Sequence, residues 1–168
     1  MEWVESLVGL ILYFFGANFF VLGMSLVSEK PDLKSAGVLC SAAAIFNIVA
    51  GLYAATVLGL GTTGTYALTF GLIWIAVGLI LIKGYGLVPV GDFSVYAAIS
   101  MLWYLYAFTV LAVNYVLAWS TALFFITFVC ITLQSRGKLS LKALGWVLIV
   151  FAFLALLIPA WMYFMGMV

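Results

Sequence analysis

Apolar runs long enough to cross a bilayer recur six times along the chain, separated by the few places where charge, proline or clustered glycine collects. The first run covers residues 4–27 and stops at Ser28-Glu29-Lys30-Pro31-Asp32-Leu33-Lys34-Ser35. The second covers residues 36–58. Residues 59–65 hold three glycines and no charge, which predicts a short flexible turn. A third helix follows over residues 66–83, and residues 84–92 break the pattern again. The stretch from 93 to 133 is too long for one span. It divides at Val113-Asn114-Tyr115, where an Asn tolerates turn geometry, into helices over 94–112 and 115–133. Gln134-Ser135-Arg136-Gly137-Lys138 closes the fifth, and the sixth runs over 139–167.

Composition turns this pattern into a class. Of the 168 residues, 68% are apolar and 7% charged, whereas a soluble domain carries about 25% charged residues to keep its surface wet. A water-soluble globule is excluded. Six spans consume about 120 residues, so the expectation is a single all-α membrane domain over residues 1–168, with the first helix retained because Glu2 and Glu5 stand where a signal peptide would be basic. All six basic residues fall in the odd connections: Lys30 and Lys34, then Lys83, then Arg136, Lys138 and Lys142. Basic residues are retained on the cytoplasmic side, so both termini are expected outside. The net charge of +1 suggests no nucleic-acid partner. Cys40 and Cys130 lie in apolar runs without metal or redox spacing, and there is no histidine; neither metal nor cofactor is expected.

Ion-coupled transporters place charged side chains inside the bilayer, yet the span interiors here hold only neutral polar groups: Asn18, Asn47, Ser100, Thr109, Ser120, Thr121, Thr127 and Thr132, with Asn114 at a break. Neutral groups favour a neutral solute. No nucleophile, base or metal-ligand motif is present, so no catalytic residue is expected. Gly9, Gly16, Gly23, Gly51, Gly71 and Gly78 read as points of close helix approach. Pro159 cannot donate to the carbonyl of Ala155, which leaves that oxygen for a solute or a neighbouring hydroxyl.

The stretch Leu157-Ile158-Pro159-Ala160-Trp161-Met162-Tyr163-Phe164 resembles the I-P-A-W helix ending of the AmiS/UreI family of urea and short-chain amide channels. Leu12-Tyr13 with Asn18, Phe46-Asn47, Thr69-Phe70-Gly71 with Trp74, and Leu117-Ala118-Trp119 ahead of Gly137-Lys138 extend the likeness over nearly the whole chain. The resemblance implies a passive channel for urea or small amides in the bacterial cytoplasmic (inner) membrane, with a pore in each six-helix protomer of a homo-hexamer. It further implies a pore lined by Phe70 and Trp74 on the third helix, Trp119 and Leu123 on the fifth, Phe151 on the sixth, and Asn18 and Asn47. Facing rings would make a flat slot for a planar solute, whereas an ion would lose its hydration there with no charge to replace it. The chain departs from the acid-gated relatives in three ways. Leu123 stands where a second tryptophan is expected, Phe151 where a glutamate is expected, and the outer connections lack their His, Asp and Glu. These departures leave urea versus aliphatic amide open, and with no histidine in the chain the expectation is a channel without proton gating. A secondary transporter built from inverted repeats, or an accessory membrane subunit, are the alternatives.

Overall fold

With no water in the hydrocarbon to satisfy backbone groups, each spanning segment must close its hydrogen bonds internally, and every apolar run is a helix. The computed structural model describes residues 2–85 and 88–168, with the backbone alone for Glu2. Its six long helices are α1 (Glu2–Val27), α2 (Leu33–Thr56), α3 (Gly61–Lys83), α4 (Val88–Leu111), α5 (Tyr115–Ser135) and α6 (Leu141–Phe164). All six are long and apolar enough to cross a membrane. No strand occurs among the described residues.

The starts of α3 and α4 differ most from the expected pattern. Helix α3 begins at Gly61, so most of the glycine-rich turn is helical and only the approach through Gly59, at φ +69°, is not. Gly64 explains it: its α-carbon packs so tightly against α2 that a β-carbon there would stand 2.7 Å from the carbonyl oxygen of Gly51. Tertiary contact thus repays the poor helix propensity of glycine. Helix α4 begins at Val88, which places Pro89 in its first turn, where a missing N–H costs nothing. Of the break expected over residues 84–92, Gly86 and Leu87 lie outside the described residues. The division between α4 and α5 falls at residues 112–114, as expected. Val113 adopts a left-handed φ of 49°, and the Asn114 side chain caps α5 by accepting from the Leu117 N–H at 3.0 Å.

The helices pack as three antiparallel pairs, α1 with α6, α2 with α3, and α4 with α5, joined into a ring around one core. In lipid there is no hydrophobic drive to bring helices together, so close van der Waals approach over small residues does the work. Along the α2–α3 seam Gly37, Ala44 and Gly51 face Gly78, Gly71 and Gly64, two heptad series running in opposite directions. Gly9, Gly16 and Gly23 of α1 likewise face Ala160, Ala152 and Gly145 of α6. The α6 series is spaced by seven residues and then by eight. The extra residue is absorbed by a π turn over Ala152–Leu157, where the Ile158 N–H donates to the Phe153 carbonyl. A second π turn, Ala107–Leu111, ends α4.

Charged side chains gather at helix ends. Asp92, in the first turns of α4, pairs with Arg136 just beyond α5, and both remain exposed. No Asp, Glu, Lys or Arg is buried among the described residues.

Candidate functional site

Three helices each turn an i, i+4 row of rings toward the centre: Phe15 and Phe19 from α1, Tyr66, Phe70 and Trp74 from α3, and Phe124 and Phe128 from α5. None is more than 1% exposed. Phe124 is the hub, 4.2 Å between centroids from Phe70, 5.1 Å from Phe19 and 6.0 Å from Phe15. Trp74 joins one end through Phe19 at 5.3 Å, and Tyr66 the other through Phe70 at 4.8 Å. Beyond Tyr66 the α4 rings Tyr104 and Phe108 continue the column at 5.1 and 5.3 Å. Most of these pairs are tilted or edge-to-face, the arrangement the ring quadrupole favours.

Polar groups punctuate the column without charging it. The Thr121 hydroxyl lies 3.3 Å from the Tyr66 hydroxyl, and those of Thr69 and Tyr104 are 3.0 Å apart. Deeper in, the side-chain amide nitrogen of Asn18, both amide atoms of Asn47 and the indole nitrogen of Trp74 are buried with no hydrogen-bond partner among the described residues. An unpaired buried polar group is costly, and with the Ser25 hydroxyl there are five such atoms among the described residues.

At the end of the molecule that carries the basic residues, the six helices open around a cavity of about 50 Å³. Leu22, Trp74, Phe128 and Leu148 lie at its inner end, and Leu33 and Gln134 toward the helix ends. Nearly all of its wall is apolar. At the opposite end the Asn114 amide donates to the Tyr163 hydroxyl at 2.6 Å, tying the start of α5 to the end of α6.

Phe70 and Trp74 therefore sit in the column, and Leu123 is buried beside it in the core. Phe151 is half-buried against the core, and Asn18 and Asn47 are buried with the unpaired atoms described above. Trp119 stands apart. It is 54% exposed, and its indole N–H donates to the Leu154 carbonyl at 3.0 Å. The next residue, Ser120, donates to the Ala155 carbonyl at 2.6 Å. These two oxygens are the ones α6 cannot use: the π turn diverts the Ile158 N–H to Phe153, and Pro159 has no N–H. Consecutive α5 residues thus satisfy both freed carbonyls, the second of which the proline had foretold.

Phe15, Phe19, Tyr66, Phe124 and Phe128 were not among the residues the sequence suggested. Each lies four residues from another column ring on its own helix, a repeat visible in the sequence. Tyr115 and Trp119 have the same spacing on α5 and are both exposed, so spacing alone does not select the inward pairs.

A family model described as "AmiS/UreI family transporter" matches residues 7–167. No curated protein and no solved structure matches the chain.

Proposed function

The chain belongs to the AmiS/UreI family of transporters, and from that premise we propose that it is a passive channel for urea or small amides, with its passage along the ring column. It is a multi-pass membrane protein with a urea or amide transport role. The observation that carries the passive reading is the uncharged interior: no Asp, Glu, Lys or Arg is buried among the described residues. A coupling ion would find no partner there, whereas a neutral planar solute slides between ring faces and exchanges hydration for Asn18, Asn47 and the hydroxyls of Tyr66 and Thr121. Phe70 and Trp74 form walls of the slot together with Phe124 and Phe19. Leu123 and Phe151 back those walls, and Trp119 holds the α6 backbone in register. In this reading the protomers form a homo-hexamer in a bacterial inner membrane, with both termini outside.

Stopped-flow shrinkage of proteoliposomes tests it. Urea or acetamide flux well above that of protein-free vesicles, independent of any ion gradient, is the expected result. Flux that needs a gradient would indicate a transporter, and none at all an accessory subunit. The same vesicles test gating. A channel opening in acid needs a group that titrates between about pH 5 and 8, and with no histidine in the chain flux should stay flat over that window. A severalfold rise on external acidification would exclude this. For orientation, a cysteine replacing Thr63 should label with an impermeant thiol reagent from outside, and one replacing Gly137 should not.

A further inference from the structure

We infer that the α4–α5 pair is a hinged flap: it is anchored to the rest of the bundle along the half nearest its turn at residues 112–114, and it swings at the end that carries the basic residues, widening the cavity there. The two halves of the pair spend their polar groups in different directions. In the half nearest the turn they reach other helices. Asn114 donates to the Tyr163 hydroxyl at 2.6 Å, Trp119 and Ser120 donate to the Leu154 and Ala155 carbonyls at 3.0 and 2.6 Å, and the hydroxyls of Tyr104 and Thr69 stand 3.0 Å apart. The Thr121 hydroxyl lies 3.3 Å from that of Tyr66. In the half nearest the basic end the hydroxyls turn back on the pair itself. Ser94 donates to the Val90 carbonyl at 2.8 Å, Thr127 to that of Leu123 at 3.0 Å and Ser135 to that of Thr132 at 2.9 Å. Thr132 donates to the Phe128 carbonyl at 2.9 Å, with the Gly91 carbonyl of α4 at 3.3 Å. Asp92 and Arg136 close the same end, and a β-carbon on Gly91 would overlap the Ser135 hydroxyl.

The pair is stitched to itself at one end and to its neighbours at the other. At the basic end the cavity of about 50 Å³ lies between it and the other helices, lined by Val90 of α4 and Phe128 and Ile131 of α5 together with Val77 of α3 and Leu144 of α6. Apolar contact has no direction, so parting these walls gives up buried area and breaks no hydrogen bond. The other four helices lack that freedom. Glycine contacts lock α2 to α3 from Gly37 through Gly51 and α1 to α6 from Gly9 through Gly23. Between α1 and α2, Phe14 meets Phe46 at 4.3 Å and the Cys40 thiol stands 3.8 Å from the Asn18 carbonyl. Helix α4 has 24 residues; half of it is about 18 Å long, so a tilt of about 15° carries its end about 5 Å. The flap follows from helix contacts alone and does not depend on the proposed transport. If a solute passes along the column, the flap gives that passage its opening at the basic end.

Distances between pairs of spin labels in vesicles test it, with the labelled chain co-expressed with an excess of unlabelled chain and carrying Cys40→Ala and Cys130→Ala. Labels on Lys83→Cys and Val95→Cys, both exposed and nearer the basic end, should give a distribution about 5 Å broader than labels on Lys34→Cys and Lys83→Cys, which lie on the locked α2–α3 pair. Labels on Thr62→Cys and Val110→Cys, at the turn end, should give a distribution as narrow as the locked pair. Adding Thr69→Val and Ser120→Ala removes two ties near the turn and should widen it. A second readout uses the chain with Cys130→Ala alone. The cavity is too small for a trimethylammonium thiosulfonate reagent, so Ile131→Cys on its wall, at a position 8% exposed, should react about 10- to 1,000-fold more slowly than Lys83→Cys, in proportion to the open population. Native Cys40, buried between α1 and α2, should stay unmodified. A Lys83–Val95 distribution no wider than that of Lys34–Lys83, a Thr62–Val110 distribution that is wide from the start or unmoved by the double variant, or Ile131→Cys reacting as fast as Lys83→Cys or no faster than Cys40, each overturns the flap. Neither readout involves transport, so absence of urea and amide flux would end the channel reading and leave the flap standing.

Discussion

The α2–α3 seam and the ring column are both tightly packed, but they resist change differently. At the seam, backbone meets backbone: Gly37 faces Gly78 and Gly51 faces Gly64, with carbonyl oxygens where a β-carbon would be. Nothing there can rotate out of the way. In the column, contacts run ring to ring, from Phe124 to Phe70, Phe19 and Phe15, and a ring yields by turning about its own side-chain bonds. A passage that admits a small solute without dissolving its walls needs that division. On the proposed passage along the column, the seams would hold the helices at fixed separation while the rings yield by side-chain motion.

The contrast predicts a ranking. The largest effect belongs to the seam: Gly64→Val places side-chain carbon against the Ala55 nitrogen and the Gly51 oxygen, overpacking that costs about 3 kcal/mol or more. No monodisperse protein should survive detergent extraction. Gly61→Ala, three residues earlier with open space around it, should instead extract normally, and equal behaviour of the two variants would remove the seam from the argument.

Next comes the column. Phe124→Ala deletes the hub and leaves a void of about 100 Å³, which at about 24 cal/mol per Å³ costs about 2 kcal/mol. The protein should still assemble, melt lower in detergent, and pass larger amides such as butyramide faster than the native protein does. A lower melting temperature with unchanged selectivity would make Phe124 packing only.

Ser120→Ala tests the α6 register. It strips the Ala155 carbonyl of its donor, a loss of about 1 kcal/mol in a bilayer setting, and Ser120→Thr should restore the native melting temperature. A gain of similar size is expected from Val113→Gly, because a β-branched residue at φ 49° carries a steric penalty of about 1 kcal/mol that glycine lacks. Thermal melts read both.

The smallest effect is at the exposed cap of α2. There Asp32 accepts from the Ser35 N–H at 3.0 Å, and hydrogen bonding to Ser35 holds its carboxyl below the ordinary value of 3.8. A depressed folded-state value means that this stabilisation is present above about pH 4 and is lost as pH falls through the depressed value. The melting temperatures of native protein and Asp32→Ala should therefore converge in acid and separate slightly at neutral pH.

Period and composition alone determined the class of this protein, the six spans, the break at Val113-Asn114, the small-residue faces of α1 and α3, and the freed carbonyl at Ala155. Each of these follows from local chemistry: an apolar run must be helical in lipid, a glycine permits close approach, and a proline lacks a donor. The resemblance added Phe70 and Trp74, which lie in the column. Only the tertiary structure decided that Phe124 rather than Trp119 turns inward from α5. The two stand five residues apart on opposite sides of the helix, and in a bilayer both sides of a helix are apolar, so hydrophobic periodicity cannot mark the buried face. The π turn of α6 was equally hidden. Its extra residue brings Ala160 rather than Pro159 opposite Gly9, and its cost is met by donors from another helix, which no reading of α6 by itself contains.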